Sequence, residues 1–218
     1  MTYILNLETS TRNCSVSVAL NGKTLLCKEV AELGYSHAEK LHVFMEEVLR
    51  EANLHFSDLN AVAVSQGPGS YTGLRIGVSA AKGLCYALNI PMISVDTLHI
   101  LAAKAGEVDG LIVPMIDARR MEVYSAIYSN NGEKVRTIQA EVLTESSFEE
   151  FNTPLYFVGD CLDKAKTVLK KTNFNFLEQI VFPSANEMST LSYNQYKDNN
   201  FVNVAYFEPF YLKDFFLK

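Results

Sequence analysis

The amino-acid sequence predicts an α/β protein made of two similar lobes in tandem. Both halves of the chain follow the same order of three strands, a helix and a further strand, and a glycine-containing junction separates them at residues 105–110. No residue-level repeat is visible, so the likeness concerns the order of the elements alone. Two ribonuclease-H-like lobes in one chain form the architecture of the actin, sugar-kinase and Hsp70 (ASKHA) group. The predicted domains are therefore residues 1–105 and 106–218.

The first half opens with three strands and then alternates helices with strands. Alternating apolar and polar residues predict strands at residues 3–8, 14–20 and 23–30, and the dipeptide Asn21-Gly22 joins the last two as a hairpin. A helix follows, because Ser36 and Glu39 make a capping box and apolar residues then recur at helical spacing. The remaining predicted elements are a buried strand at residues 61–64, a helix at 73–88, a strand at 91–95 and a helix capped by Asp96.

The second half repeats this order. Strands are predicted at residues 111–116, 122–128 and 134–143, with a turn at Asn130-Asn131-Gly132 between the last two. The elements predicted after them are a short helix at residues 147–151, a strand at 155–158, an amphipathic helix at 161–171, a strand at 179–182 and a helix opened by the capping box of Ser184 and Glu187.

Composition is that of an ordinary globular protein and argues against one class of function. The 218 residues are 48% hydrophobic and 20% charged. Asp and Glu number 25 against 19 Lys and Arg, for a net charge of −6. Holding nucleic acid requires clustered positive charge, so we expect nucleic acid to be bound only through another subunit. The chain starts without a basic leader and has no apolar run of membrane-spanning length, so we expect a cytoplasmic protein with no membrane partner.

The most informative segment covers residues 67–77, with the sequence GPGSYTGLRIG, between the buried strand and the long helix. It is not a P-loop, because Leu74 and Arg75 follow Gly73 in place of lysine and a hydroxyl residue. It is not a Rossmann loop, since about sixty residues of other structure precede it. It is not a nucleophile elbow, because Pro68 and Thr72 occupy the glycine positions. Three glycines in seven residues predict a tight turn that something approaches closely. The residues of this predicted structural turn are Gly67, Gly69, Ser70, Tyr71 and Thr72.

Four segments of the chain resemble the TsaB family, formerly called YeaZ. They are residues 4–11 with the sequence ILNLETST, residues 67–77, Asp117-Ala118-Arg119 and Tyr211-Leu212-Lys213. The resemblance implies a non-catalytic subunit that binds TsaD, the enzyme that places threonylcarbamoyl on adenosine next to the tRNA anticodon, together with the ATPase TsaE. It also implies a heterodimer with TsaD, a homodimer when the chain is isolated, and contact with tRNA only through the complex.

The sequence lacks the metal ligands that TsaD carries. TsaD holds its metal with an H-x-x-x-H motif on a helix that follows a strand, and here Thr97 and Leu101 stand at the two histidine positions. A threonine is a poor ligand and a leucine is none, so we expect no metal site. His99, between them, is interpreted as a surface or packing residue. The four dispersed cysteines are interpreted as reduced packing residues.

A small-molecule kinase or ATPase of the same fold is the alternative function. Such enzymes grip phosphates with a D-x-G-T turn, whereas this chain has the sequence ETST at residues 8–11, in which Ser10 replaces the glycine. We therefore expect only weak ATP or ADP binding, at the complex interface, with no required cofactor and no catalytic residue. The residues assigned to this weak nucleotide cleft are Glu8, Ser10, Thr11, Asp117 and Arg119.

The helix after the glycine-rich turn is the predicted partner interface. Gly73, Gly77 and Ala81 recur every four residues, so one face is almost without side chains and another helix can approach it. Packing of this face inside the monomer is the alternative. The resemblance favours the interface, because TsaB proteins pair with TsaD through helices of the N-terminal lobe, and Arg75 would fix the register. The predicted interface residues are Gly73, Leu74, Arg75, Gly77, Val78 and Ala81.

Overall fold

The computed structural model describes residues 1–32 and 37–212, which form two compact units. The first unit comprises residues 1–100 and 183–211, and the second is centred on residues 101–182. Each unit carries one five-stranded mixed sheet. The prediction of an α/β fold with two tandem lobes is confirmed. Ser36 of the predicted capping box and Lys213 of the sequence motif lie outside the described residues.

The first sheet has the same strand connections that the sequence predicts. Its strands are β1 Tyr3–Glu8, β2 Asn13–Leu20, β3 Lys23–Ala31, β4 Ala61–Gly67 and β5 Met92–Asp96. They lie in the order β3-β2-β1-β4-β5, with β1 antiparallel to β2 and parallel to β4. The helices of the described residues are α1 His37–Glu51, α2 Tyr71–Leu88, α3 Thr97–Ala103, α4 Leu162–Val168 and α5 Ala185–Lys197.

Different helices cover the two faces of the first sheet, because its central strands are apolar on both sides. Leu5 and Leu7 pack in one buried cluster with apolar residues of α1 and α2. Ile4 lies one position out of phase with them and packs in a second cluster with Met188 of α5. Helices α1 and α2 therefore share one face of the sheet, and α5 takes the other.

Helix α5 belongs to the first unit, which corrects the predicted second lobe of residues 106–218. The Ser17 hydroxyl donates to the carbonyl oxygen of Ala185 at 2.7 Å, and the Ser192 hydroxyl donates to Asn6 Oδ1 at 2.7 Å. All four residues are buried. The residues of these two pairs are 168 and 186 positions apart, so no local pattern in the sequence predicts the contacts.

The second unit repeats the topology of the first. Its strands are β6 Leu111–Asp117, β7 Glu122–Tyr128, β8 Lys134–Val142, β9 Leu155–Gly159 and β10 Phe174–Phe176. They lie in the order β10-β9-β6-β7-β8, so a meander of three antiparallel strands is again followed by two parallel ones. Among the described residues, no helix is both long and apolar enough to cross a membrane.

Two predicted elements of the second half are wrong. Residues 147–150 form turns and Phe151 has no regular structure, because buried Phe148 adopts a φ of 64°, which interrupts a right-handed helix. Residues 179–182 form no strand, and β10 supplies the fifth strand instead. Buried Ile180 still contacts the sheet, because its carbonyl oxygen accepts a hydrogen bond from the N–H of Gly159 at 2.8 Å.

Candidate functional site

The glycine-rich turn closes around the loop between β1 and β2. Gly67 adopts a φ of 110°, which glycine takes without steric cost, and its N–H donates to Thr97 Oγ1 at 3.2 Å. A β-carbon on Gly69 would lie inside 3.0 Å of the carbonyl oxygen of Ser10. The N–H of Ser70 donates to that same oxygen at 2.6 Å. The close approach that the glycines predict is thus made by the chain itself.

The turn ends at Ser70, which caps α2. Its hydroxyl accepts a hydrogen bond from the N–H of Gly73 at 3.3 Å, as an N-cap serine does. Tyr71 and Thr72 therefore form the first turn of the helix, two residues earlier than predicted. The helix continues to Leu88, where Asn89 stops it in the left-handed conformation with a φ of 52°.

The nearly bare face of α2 points into the first unit. Thr9 Oγ1 donates to the carbonyl oxygen of Gly73 at 2.7 Å. A β-carbon on Gly73 would lie inside 3.0 Å of the Thr9 backbone, and one on Gly77 would lie equally close to the Thr9 side chain. The two glycines therefore make room for the loop after β1.

This inward direction corrects the predicted partner interface. Five of the six predicted residues are buried within the first unit, and they are Gly73, Leu74, Gly77, Val78 and Ala81. The alternative, packing of this face inside the monomer, describes them correctly. Arg75 is the one predicted interface residue that lies on the exposed side of the helix.

The outer side of α2 forms an open, mainly apolar groove with α1. Its volume is about 790 Å³. Gly83 contributes open space, since a β-carbon there would meet no atom within 4 Å. The described lining residues are Ala38 and His42 of α1, with Tyr71, Thr72, Arg75, Ile76, Ser79, Ala80, Gly83 and Leu84 of α2. Sequence reasoning missed this groove, although Thr72, Ser79 and Gly83 recur at helical spacing and mark a second stripe of mainly small residues.

The first-unit residues assigned to a nucleotide cleft are engaged within their own loop. Glu8 is fully buried, and its Oε1 accepts hydrogen bonds from the N–H and the hydroxyl of Ser10 at 2.6 and 2.5 Å. Burial raises the pKa of Glu8 to about 7, while the two hydrogen bonds from Ser10 act in the opposite direction. Thr11 is also buried, and its carbonyl oxygen lies 2.8 Å from His37 Nε2.

The second-unit residues of that assignment lie in the exposed hairpin between β6 and β7. The Asp117 carboxylate binds Lys164 Nζ and accepts from the N–H of Arg119 at 2.9 Å. Lys164 also donates to the carbonyl oxygens of Arg120 and Glu122, at 2.9 and 2.6 Å. Asp117 and Lys164 therefore hold the turn together, and the Arg119 side chain is exposed. A shared nucleotide cleft stays a prediction.

Thr97 and Leu101, the two positions compared above with metal ligands, have structural contacts. Thr97 accepts the hydrogen bond from Gly67, and Leu101 is fully buried. Within residues 1–32 and 37–212, no group of three or more His, Cys, Asp or Glu residues is arranged to hold a metal ion. Burial raises the pKa of the Cys14 thiol to about 12 and that of Cys85 to about 11, so both thiols are protonated at neutral pH.

Comparison with known proteins assigns the family. The family model described as TsaD, tRNA N6-adenosine threonylcarbamoyltransferase, matches residues 31–215. The tRNA threonylcarbamoyladenosine biosynthesis protein TsaB of Bacillus subtilis (strain 168) is 35% identical over 161 residues, which are 72% of this chain and 70% of that protein. TsaB of Escherichia coli (strain K12) is 27% identical over 224 residues, or 97% of this chain and 94% of that one.

The structural comparison agrees. YeaZ from Pseudomonas aeruginosa matches with a TM-score of 0.85 at 26% identity, over 97% of this chain and 100% of that one. A tRNA N6-adenosine threonylcarbamoyltransferase of Bacillus thuringiensis (strain Al Hakam) is 37% identical over 120 residues, which are 47% of this chain and 35% of that enzyme. That enzyme is matched over about a third of its own length, whereas the two TsaB proteins are matched over 70% and 94% of theirs, and the chain belongs to the TsaB family of tRNA threonylcarbamoyladenosine biosynthesis.

Proposed function

We propose that this chain is a non-catalytic subunit that binds and activates a TsaD-type protein, with TsaE as a third component, for threonylcarbamoyl transfer to adenosine beside the tRNA anticodon. The apolar groove between α1 and α2 carries the proposal, because the described part of the first unit leaves it open. The complex works in the cytoplasm, and tRNA is held by the other subunits, since this chain has a net charge of −6.

The choice of partner follows from homology. The TsaD family model spans α1 and α2, so a TsaD-type protein carries a corresponding pair of helices. Two related helix pairs can meet face to face about a pseudo-twofold axis, with each filling the apolar groove of the other. The same geometry allows two copies of this chain to pair, so we propose a homodimer for the isolated protein.

A non-catalytic role for this subunit is supported by the residues at the positions that correspond to metal and phosphate ligands in related enzymes. Thr97 and Leu101 are not metal ligands, and the Ser10 N–H and hydroxyl that would face a phosphate bind Glu8 instead. We therefore expect no phosphate release from ATP by the purified chain. Steady release that vanishes in the variant Glu8→Gln would favour the kinase or ATPase alternative.

The test is association with purified TsaD from the same organism, measured by titration calorimetry and size-exclusion chromatography. The variant Gly83→Leu fills the groove, and overpacking costs of roughly 1 to 3 kcal/mol would fall on association. The variant should melt near the wild-type temperature, because leucine is favoured over glycine in a helix by up to about 1 kcal/mol.

Gly83→Ala is the matched control, since one methyl group leaves most of the groove open and binding should change little. In the reconstituted system, threonylcarbamoyl transfer to tRNA should decrease only in the protein that binds TsaD more weakly, which is Gly83→Leu, and should stay near the wild-type level with Gly83→Ala. A wild-type chain that does not bind TsaD would overturn the proposed function. A Gly83→Leu chain that binds and supports modification normally would remove the groove from the interface.

A further inference from the structure

The polypeptide after α5 runs back across the first unit to the start of α2. The N–H of Val202 donates to the carbonyl oxygen of Met92 in β5 at 3.0 Å. Lys82 Nζ of α2 then donates to the carbonyl oxygen of Ala205 at 3.1 Å. The N–H of Phe210 finally donates to the carbonyl oxygen of Gln66, just before the glycine-rich turn, at 2.7 Å. We call residues 201–211 the tail.

The tail ends on two residues of the groove. Tyr211 Oη accepts a hydrogen bond from Arg75 Nε at 3.3 Å, and its ring centre lies 5.1 Å from that of Tyr71. The Arg75 guanidinium carbon lies 4.0 Å from the centre of the Tyr71 ring, within the range of a cation–π contact. Three side chains from two distant segments thus form one cluster at the end of the groove where α2 begins.

This cluster holds the guanidinium in one orientation. Arginine is a long side chain that loses considerable rotamer freedom when it binds a partner. Here the ring of Tyr71 and the hydroxyl of Tyr211 limit that freedom before any partner arrives. Because Nε is the donor to Tyr211, the two terminal nitrogens are the fork that a carboxylate takes up.

Charge indicates which chemistry the groove selects. Arg75 is the only Lys, Arg, Asp or Glu among the described lining residues, although the whole chain has a net charge of −6 and the exposed carboxylate of Glu208 in the tail is near enough to act on the charge of Arg75. A partner helix that fits therefore needs an apolar surface along its length and a negative charge at one end. An ion pair at the rim of an interface mainly sets orientation and the rate of association.

On this basis we infer that Arg75 recognises a carboxylate on the partner helix and that Tyr211 is a positioning residue that acts through Arg75. The inference rests on the proposed function and names the chemistry of the partner at that same groove. It makes the tail a part of the binding surface, although the groove lining includes none of its residues.

The first experiment measures TsaD binding of Arg75→Gln against Arg50→Gln. Both changes remove one positive charge, but Arg50 is exposed near the end of α1 and lies outside the groove. Arg75→Gln should bind about fivefold more weakly at low salt. Its affinity should also depend less on salt between about 50 and 300 mM than that of the wild type or Arg50→Gln.

The second experiment compares Tyr211→Phe with Tyr206→Phe. Tyr211→Phe keeps the ring beside Tyr71 and removes only the hydroxyl that binds Arg75, whereas Tyr206 lies in the same tail with its side chain exposed. Tyr211→Phe should slow association about twofold or more and reduce its salt dependence, with an unchanged melting temperature. Tyr206→Phe should match the wild type. In the double variant Arg75→Gln/Tyr211→Phe, the loss of the hydroxyl should add nothing.

The outcomes separate this inference from the proposed function. If the wild type binds and Gly83→Leu does not, the groove is the interface. In that case, Arg75→Gln with wild-type affinity and salt dependence would overturn the carboxylate recognition. An additive effect of Tyr211→Phe in the double variant would overturn the positioning role. If the wild type does not bind TsaD at all, the proposed function fails first.

Discussion

The two units share one topology but treat the loop between their first two strands in opposite ways. In the first unit this loop is buried, with Thr9 and Ser10 almost without exposure beneath α2. In the second unit the equivalent hairpin is exposed, with Arg119 and Arg120 in solvent. The topology alone therefore does not decide whether this loop is open.

The helix that follows the fourth strand of each sheet makes the difference. Helix α2 has 18 residues and presents two glycines to the loop, so the backbone of Thr9 can lie directly against it. Helix α4 has 7 residues, and its Lys164 reaches the carbonyl oxygens of Arg120 and Glu122 instead. The long helix α2, with its two glycines, covers the loop of the first unit, whereas the short helix α4 contacts the loop of the second unit through hydrogen bonds from Lys164.

The largest expected effect is that of Gly73→Ala, which tests how tightly the first loop is clamped. The added β-carbon would meet the carbonyl oxygen of Thr9, which is backbone and cannot rotate away. We expect the free energy of unfolding to fall by about 3 kcal/mol, the upper end of the usual cost of overpacking. Gly83→Ala, on the outer side of the same helix, should instead gain up to about 1 kcal/mol.

Urea unfolding followed by circular dichroism measures both variants. Gly77→Ala should also be destabilised, but less, because its β-carbon meets the side-chain oxygen of Thr9 and not the backbone. Equal stability of Gly73→Ala and Gly83→Ala would mean that the loop yields freely, and the contrast between the units would then rest on something other than α2.

The next effect is a pH dependence that belongs to the first unit. Glu8 has its pKa raised from 4.5 to about 7 by burial, so the folded state binds more protons than the unfolded state between these values. The free energy of unfolding should therefore fall as the pH rises from about 4.5 to about 7. Each pKa unit corresponds to about 1.36 kcal/mol, so the total decrease in the free energy of unfolding over this range is of order 3 kcal/mol.

Denaturation across this pH range, with Glu8→Gln beside the wild type, isolates the contribution. The pKa of His37 is lowered by burial and gives a slope of the opposite sign, but it is common to both proteins. The difference in stability between the two proteins should therefore shift in favour of Glu8→Gln as the pH rises. A difference that stays constant with pH would show that the pKa of Glu8 is the same in the folded and unfolded states.

The smallest expected effect compares one arginine in each loop. Arg120 adopts a φ of 51°, in the left-handed region that disfavours residues with a β-carbon, whereas Arg12 in the first loop does not. Arg120→Gly should raise the free energy of unfolding by about 0.5 to 1 kcal/mol, and Arg12→Gly should lower it by a similar amount. Both changes remove one positive charge. Melting temperatures that change in the same direction for both variants would contradict the prediction that the left-handed backbone of Arg120 is strained and the backbone of Arg12 is not.

Local patterns in the sequence were sufficient for most of the elements. Strand alternation and the turn at Asn21-Gly22 both depend on residues close together in the chain. The failures came where packing overrides local preference. Phe148 is buried in a left-handed conformation and so interrupts the predicted helix at residues 147–151. The run at 179–182 forms no strand, although Ile180 is buried and its carbonyl oxygen accepts a hydrogen bond from the N–H of Gly159.

The candidate site divides in the same way. The glycines at 67, 69, 73 and 77 already indicate from their spacing that the backbone is approached closely there, because no other residue leaves that space. Spacing cannot say what approaches. Thr9 is 64 positions from Gly73, and Tyr211 is 136 positions from Arg75, yet these pairs fill the inner face of α2 and complete its outer face. Contacts of that range arise when the whole chain packs, so long-range packing alone assigns one face of α2 to the core and leaves the other face open.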